Sequence, residues 1–218
     1  MKKTTVFATA ICAVGTAWVM GYRYLLRERC LHWGATPEEA TREMPGDDLL
    51  PRPDIVSTRA VAIDVEAAEI WPWLVQFGPG RGGAYTYDWI ENLLGLNMHS
   101  ADSILPEFQK LSVGDTFALG PSGPTMRVAV LDPARALVFS STDGNWVWAF
   151  ALYPDGSRTR LISRNRIAAP SASPAARLFN RLIMEPGSWV MERKMLLGIK
   201  QRAERHAPTG PIVQPAPV

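Results

Sequence analysis

The stretch that decides the fold is residues 146–167, WVWAFALYPDGSRTRLISRNRI. Large apolar side chains alternate through its first part, and a Tyr-Pro-Asp-Gly sequence at 153–156 separates it from a second alternating run. Alternation with a period of two is typical of strands, and proline, aspartate and glycine favour a tight turn. The stretch therefore predicts an antiparallel hairpin.

The second strand of this hairpin has two different faces. Its inner face is predicted to carry Leu161, Ser163, Asn165 and Ile167. Its outer face carries Arg160, Ile162, Arg164 and Arg166. Because charged side chains are seldom buried without partners, we expect the three arginines to point into water.

The elements on either side of the hairpin extend this pattern to a whole domain. A strand at 57–64 comes first, and two short amphipathic helices follow it. Further alternating runs lie between residues 113 and 139, and a long apolar-faced helix opens at Ser173-Pro174. This order predicts an α+β helix-grip fold: an antiparallel β-sheet curved around a long C-terminal helix, with two short helices after the first strand. Such a fold encloses a cavity.

The first 30 residues are predicted to be a membrane anchor. Thr4 to Tyr22 contains 19 residues without a charge, and as a helix it spans about 28 Å, close to the hydrocarbon thickness of a bilayer. A cleaved signal peptide is the alternative, but bulky residues follow the apolar run where small ones are needed. Three arginines after the span against two lysines before it favour, weakly, a cytoplasmic domain.

The rest of the chain divides into three segments. Residues 31–55 form a linker with a short helix, for which Thr36 and Glu39 offer a capping box. Residues 56–205 form the helix-grip domain, and residues 206–218 are a proline-rich tail that we expect to be disordered. Oligomeric state is not encoded in any pattern found here.

Composition excludes several classes of function. The net charge is +2, and no basic stripe is interleaved with aromatic residues, so we expect no nucleic-acid partner. Both cysteines, Cys12 and Cys30, precede the domain, and the domain contains one histidine. We therefore expect neither a metal site nor a cofactor. Residues 78–83 match G-x-G-x-x-G, but they follow a helix rather than a strand, which favours a turn over phosphate binding.

Catalytic candidates are few. His99 could shuttle a proton with Asp102 or Glu107, since a histidine titrates near neutral pH. The alternative, which we favour, is a local turn that Ser100 or Asp102 starts, with His99 hydrogen-bonded nearby. The polar residues at 88, 91 and 92 are interpreted as the wet face of a short helix.

Aromatic and methionine side chains are the candidates for ligand contact. Large rings bury much area, and methionines adapt to irregular shapes. Trp89, together with Ile90, Leu93 and Leu94, is expected to face inward from the second short helix. The full set of predicted ligand-binding residues is Trp73, Trp89, Phe117, Met126, Phe139, Trp148, Asn165, Met184 and Trp189.

Four stretches of the chain resemble a known superfamily. They are residues 70–76 (IWPWLVQ), 82–92 (GGAYTYDWIEN), 99–102 (HSAD) and 192–197 (ERKMLL). They resemble the START-like and polyketide cyclase/dehydrase-like helix-grip proteins, the SRPBCC superfamily, and within it an uncharacterised bacterial, membrane-anchored subgroup. The resemblance covers roughly residues 33–204 and implies the fold and a cavity for apolar molecules, but no shared catalytic motif.

Three functions follow as hypotheses. The first is membrane-tethered, non-catalytic binding of a lipid or other apolar small molecule in the cavity. The second is a cyclase- or hydrolase-like enzyme that uses His99 and a nearby carboxylate. The third is a structural or interaction module that binds protein partners through the outer arginines.

Overall fold

The computed structural model describes residues 21–22, 26–93, 95–121 and 123–206. Most of the predicted anchor (1–30) and nearly all of the predicted tail (206–218) lie outside these residues. Among the described helices, none is long and apolar enough to cross a membrane.

Six antiparallel strands form one sheet. They are β1 (Ile55–Ile63), β2 (Thr116–Ala118), β3 (Thr125–Asp132), β4 (Ala136–Ser141), β5 (Trp146–Asp155) and β6 (Arg158–Ile167). Their order across the sheet is β1-β6-β5-β4-β3-β2, so the first strand pairs with the last and the others pair with their neighbours in the chain. The predicted hairpin is β5–β6, in register from Trp146 with Ile167 to Asp155 with Arg158.

Six α-helices of the described residues accompany the sheet. They are α1 (Arg27–Leu31), α2 (Pro37–Thr41), α3 (Ala67–Val75), α4 (Asp88–Leu93), α5 (Pro174–Phe179) and α6 (Glu185–His206). The predicted capping box starts α2: the Thr36 side chain accepts from the Glu39 amide, and the Glu39 carboxylate accepts from the Thr36 amide. The two short helices after the first strand are α3 and α4, and the long closing helix is α6.

The closing helix is interrupted before its proline. A π-helical turn, Asn180–Met184, joins α5 to α6, and Pro186 lies in the first turn of α6. Proline has no amide hydrogen to donate, so it is tolerated in a first turn but not in a helix interior. The long helix therefore begins at Glu185, and its C-terminal half supplies Met195, Leu196 and Ile199 to the core.

The sheet carries apolar clusters on both faces. The inner cluster joins Phe150 and Leu161 of the sheet to α3 and α6. The outer cluster joins Val138, Ala149 and Ile162 to Met44, which lies between α2 and the 3₁₀ turn at 47–49. Together with α6, the sheet forms an α+β, helix-grip-like architecture in which the segment from α2 to residue 50 makes a third layer.

The expectation that the outer arginines point into water is wrong. Arg164 is only 3% exposed. Its guanidinium donates to Asp47 and to the backbone carbonyls of Glu39 and Arg42. Arg160 pairs with Glu39, and Arg166 donates to the Leu50 carbonyl. The predicted linker with its short helix covers this face and supplies acceptors for the guanidinium groups.

Two glycines allow backbones to approach closely near the inner face. A Cβ on Gly198 of α6 would lie 2.3 Å from the Tyr85 carbonyl oxygen, so α6 can pack directly on the loop that precedes α4. Gly83 has a positive φ of 74°, and a Cβ there would lie 2.7 Å from the His99 backbone. These contacts hold the loop carrying Ala84 and Thr86 against the closing helix.

Candidate functional site

A cavity of about 420 Å³ lies between the inner face of the sheet and α6. Residues of β1, β5 and β6 form one wall, the loop before α4 and α4 itself form another, and α6 closes the space. The lining residues are Leu31, Ile55, Ser57, Arg59, Ala84, Thr86, Glu91, Trp146, Trp148, Asn165, Ile167, Asn180, Met184, Glu185, Ser188, Met191, Glu192 and Met195. A volume of this size is in the range of small-molecule sites.

A polar network centred on Glu192 crosses the cavity wall. Glu192 forms a hydrogen-bonded ion pair with Arg59, which is 1% exposed and also donates to the Cys30 carbonyl. The same carboxylate accepts from Ser163 and from the Asn165 amide. A buried charge is tolerated when it is paired and hydrogen-bonded, and here both partners are.

Two tryptophans extend this network. Trp146 donates through Nε1 to Asn165 at 2.8 Å, and Trp148 donates through Nε1 to Ser163 at 3.0 Å. Their rings are stacked, with centroids 5.7 Å apart and an angle of 15° between planes. Because the polar edges are already bonded within the wall, the rings are held in a fixed orientation beside the cavity.

A second carboxylate on the wall, that of Glu185, links α1 to the closing helix α6. Arg27 binds it in a bidentate manner, with Nε and Nη2 at 2.9 and 3.0 Å from its two oxygens. The Tyr22 hydroxyl donates to the same group at 3.0 Å. This cluster links Tyr22 and Arg27 to the first residue of α6.

Glu91 differs from the other two wall carboxyls. Its side chain is 6% exposed, and its Oε2 is fully buried without a hydrogen-bond partner among the described residues. Burial, and then the negative charge of Asp88, raises the pKa of Glu91 to about 7. Asp88 itself is held by Ser100, from which it accepts two hydrogen bonds. Glu91 can thus hold or release a proton near neutral pH.

The structure brings three of the nine predicted ligand-binding residues to the cavity wall: Trp148, Asn165 and Met184. Trp73, Met126 and Phe139 are buried in the inner apolar cluster, and Phe117 packs against that cluster at its edge. These four are core residues because they lie at the β2–β4 side of the sheet or under α3, away from the gap between β1, β6 and α6. Whether any residue contacts a ligand stays a prediction.

The expected inward orientation of α4 is wrong. Trp89 is 70% exposed, and Leu93 is exposed as well, while Glu91, assigned to the wet face, is buried. A helix of six residues makes fewer than two turns, so its apolar spacing gives little information about which side packs. Trp189 is half-buried and does not line the cavity, and its Nε1 is buried without a partner among the described residues.

The three catalytic candidates lie away from the cavity. His99 and Glu107 are exposed. Asp102 is bound at 2.8 Å by Arg202, near the C-terminal end of α6. None of the three lines the cavity wall, and in the described part of the chain no cluster of histidine, cysteine and acidic residues is arranged to hold a metal.

Sequence reasoning missed the charged residues that matter most. Arg59 shares a strand face with Val61 and Ile63, both of which pack in or against the inner apolar cluster, and this alternation is a usable signal. Glu192 lies three residues after Trp189 and four before Leu196, on the apolar stripe of the closing helix. An arginine and a glutamate on two inward faces indicate a buried pair. Glu91 carried no comparable signal.

Comparison with known proteins gives structural matches only. No family model and no curated protein matches the sequence. A polyketide cyclase-like protein from Corynebacterium glutamicum is similar at 15% identity and a TM-score of 0.37, covering 71% of this chain and 97% of that one. A protein from Mesorhizobium loti is similar at 16% identity and a TM-score of 0.40, covering 68% and 98%.

The Aha1 dimer protein from Colwellia psychrerythraea is similar at 14% identity and a TM-score of 0.37, covering 69% of this chain and 96% of that one. Because these TM-scores are below 0.5, the cavity itself is the basis for the function proposed next.

Proposed function

We propose that this protein is a membrane-tethered domain that binds a lipid or other apolar small molecule in its cavity without transforming it. The observation that carries the proposal is the space of about 420 Å³ between β1, β6 and α6. Leucine, isoleucine, methionine and tryptophan side chains contribute much of its wall. An apolar molecule that fills such a space is removed from water at a gain of roughly 25 cal/mol per Å².

The arrangement of charge supports binding rather than reaction. The Glu192 carboxylate accepts hydrogen bonds from Arg59, Ser163 and Asn165. The Glu185 carboxylate accepts hydrogen bonds from Arg27 and Tyr22. Carboxylates bonded in this way fix the positions of the side chains around them in the cavity wall. The histidine that a cyclase- or hydrolase-like reaction would use is exposed and off the cavity.

An exposed apolar patch supports the membrane part of the proposal. Leu178, Phe179, Ile183 and Met184, on α5 and the π-helical turn, are each half or more exposed. Met184 also lines the cavity, so the patch adjoins it. The patch lies next to Glu185, which binds Arg27 just after the predicted span at 4–22. A bilayer that received the patch would stand beside the cavity, which suits uptake of an apolar ligand from lipid.

Ligand binding is tested with the full chain in detergent by native mass spectrometry and by titration with 2-(naphthalen-1-yl)ethanol. We expect co-purified apolar mass or saturable probe binding. Ile167→Trp, which adds volume at the cavity wall, should weaken binding at least tenfold. Val113→Trp, the same kind of enlargement at an exposed loop position, should leave it unchanged. A wild-type protein that takes up no apolar molecule contradicts the proposal.

Membrane tethering is tested independently by extraction of membranes with alkaline carbonate. We expect the full chain to stay in the membrane pellet. Ile11→Lys combined with Val14→Lys should release it, because each lysine near the middle of a spanning helix costs about 2.5–3.5 kcal/mol. A wild-type chain that is extracted as readily as the double variant contradicts tethering but leaves the cavity proposal standing.

A further inference from the structure

The cavity wall is richer in acidic than in basic groups. Among the described lining residues, three are glutamates and one is an arginine: Glu91, Glu185, Glu192 and Arg59. Arg59 neutralises Glu192, and Arg27, from behind the wall, neutralises Glu185. This pairing accounts for two of the three carboxyls and for both guanidinium groups.

Glu91 has no counterion among the residues that the structure describes. Its buried Oε2 accepts no hydrogen bond from any described residue, and the like charge of Asp88 adds to burial in raising the pKa of Glu91. An unpaired buried carboxyl costs free energy, because its ionised form is not solvated and its neutral form has no partner. Groups of this kind in native proteins are candidates for contact with a bound molecule.

The opposite wall offers aromatic faces. Trp146 and Trp148 are stacked, and their Nε1 groups are committed to Asn165 and Ser163. Both rings line the cavity. Tryptophan faces attract cations, and the attraction increases when the cation is removed from water.

We propose that the ligand of this cavity is an apolar molecule that carries a basic amine, and that Glu91 binds its ammonium group. This inference rests on the proposed function and names the chemical class of its ligand. The ammonium supplies the missing counterion, the apolar body fills the space, and the stacked tryptophans favour a cation. A neutral alcohol or ketone of the same shape fills the space equally well but leaves the carboxyl without a charge partner.

Binding of an amine is then coupled to the proton on Glu91. Besides Glu91, the charged groups that line the cavity are Arg59 on β1 and Glu185 and Glu192 on α6. The elements around them also carry Asp88 on α4, Arg27 on α1 and Lys194 on α6. The arginines are already in ion pairs, so Glu91 is the group that changes protonation near neutral pH. With a pKa of about 7, Glu91 is mostly ionised at pH 8 and mostly protonated at pH 6. Affinity for an amine should fall by about tenfold between these values.

The test is calorimetric titration of the full chain in nanodiscs with two probes of matched shape, 2-(naphthalen-1-yl)ethylamine and 2-(naphthalen-1-yl)ethanol, after subtraction of empty nanodiscs. At pH 8 we expect the amine to bind at least about tenfold more tightly than the alcohol, as a charge-assisted hydrogen bond predicts. Glu91→Gln keeps the shape and removes the charge, so it should abolish the preference while alcohol affinity stays within about twofold. Glu43→Gln, at an exposed position, should behave as wild type.

The outcomes separate the two proposals. Equal affinity for amine and alcohol in the wild type overturns the amine inference and leaves the cavity proposal intact. A preference that persists in Glu91→Gln overturns the role of Glu91, and no binding of either probe overturns both proposals. If Glu91→Gln does not fold, the wild type alone decides, because a preference that does not weaken from pH 8 to pH 6 contradicts ionisation of Glu91.

Discussion

Charged groups are buried against both faces of β6, but they differ in whether the chain supplies their hydrogen-bond and ion-pair partners. On the outer face, Arg164 is surrounded by Thr58, Asp47 and backbone carbonyls, all from this chain. On the inner face, the Glu192 carboxylate of α6 pairs with Arg59 and accepts hydrogen bonds from Ser163 and Asn165, which also belong to this chain. Glu91, which lines the same cavity, has no hydrogen-bond partner for its buried Oε2 among the described residues.

Buried charged groups with partners in the chain therefore stabilise the fold, whereas Glu91 has an oxygen for which the described residues supply no partner. A buried ion with every acceptor or donor matched by the chain itself contributes to a unique packing of layers. A buried carboxyl without a match destabilises the chain unless something else completes it. The comparison predicts that removing the matched groups lowers stability, whereas removing the unmatched group raises stability where it is ionised.

The largest effect is expected for Glu192→Ala. The substitution leaves the Arg59 guanidinium buried without its counterion, and it also removes an acceptor from Ser163 and Asn165. We expect the free energy of unfolding to fall by about 3–5 kcal/mol, as for other broken buried pairs. Urea denaturation followed by circular dichroism measures it.

The matched control is Glu38→Ala, which breaks an exposed pair with Arg42. That change should cost no more than about 0.5 kcal/mol. Equal effects for Glu192 and Glu38 would show that the inner network does not hold the sheet to α6.

A somewhat smaller loss is expected for Arg164→Met on the outer face. The long apolar side chain retains some packing, and Asp47 keeps Arg166 as a neighbouring cation 3.4 Å away. We therefore expect the free energy of unfolding to fall by about 2–3 kcal/mol, because acceptors in residues 39–47 lose their hydrogen-bond donor. Arg158→Met, at the exposed β5–β6 turn, serves as control. If limited proteolysis cuts the 36–51 segment of the variant no faster than that of the wild type, the third layer does not depend on Arg164.

The sign reverses for Glu91→Gln. The pKa of Glu91 is raised from its ordinary value of about 4.5 to about 7, so the folded state binds a proton more tightly than the unfolded state. Its contribution to stability is complete below about pH 4.5 and is lost as pH rises through 7. The full loss is at most about 3 kcal/mol. Wild-type stability should therefore decrease by about 1–3 kcal/mol between pH 5 and pH 8, and the glutamine variant should lack that component.

Unfolding at pH 5, 6.5 and 8 in parallel for the two proteins measures this difference. At pH 8 we expect Glu91→Gln to be the more stable protein. A wild type whose stability relative to the variant does not change with pH would mean that Glu91 is not a buried, unpaired carboxyl.

The sequence predicted the hairpin, the strand order in the chain and the closing helix, because periodic patterns over six or more residues report directly on which face is buried. It placed Ser163 and Asn165 inside correctly. It failed where burial depends on a distant segment: nothing in β6 shows that residues 39–50 return to cover its arginines. Pairing of charges over more than 100 residues is a property of the tertiary structure.

The cavity wall was predicted only in part for a related reason. Trp148, Asn165 and Met184 reach it, but Phe139 and Met126, on the same sheet face, are buried in the inner apolar cluster. Periodicity identifies the inner face and does not say where along that face the layers separate. The position of the cavity follows from where α6 and α4 contact the sheet, which depends on close approaches such as that of Gly198 to Tyr85.

The smallest effect is expected for His99→Ala, which tests the contrast between the cavity and the exposed loop after α4. His99 is exposed, and only its backbone packs closely, against Gly83. We expect the free energy of unfolding to change by less than about 0.5 kcal/mol and the affinity for 2-(naphthalen-1-yl)ethanol to stay within about twofold. Calorimetric titration of His99→Ala and Ile167→Trp compares their affinities for the probe, and urea denaturation measures the change in stability. A loss of affinity in His99→Ala as large as that in Ile167→Trp would move the binding site to the loop and restore a histidine-based reaction as the better hypothesis.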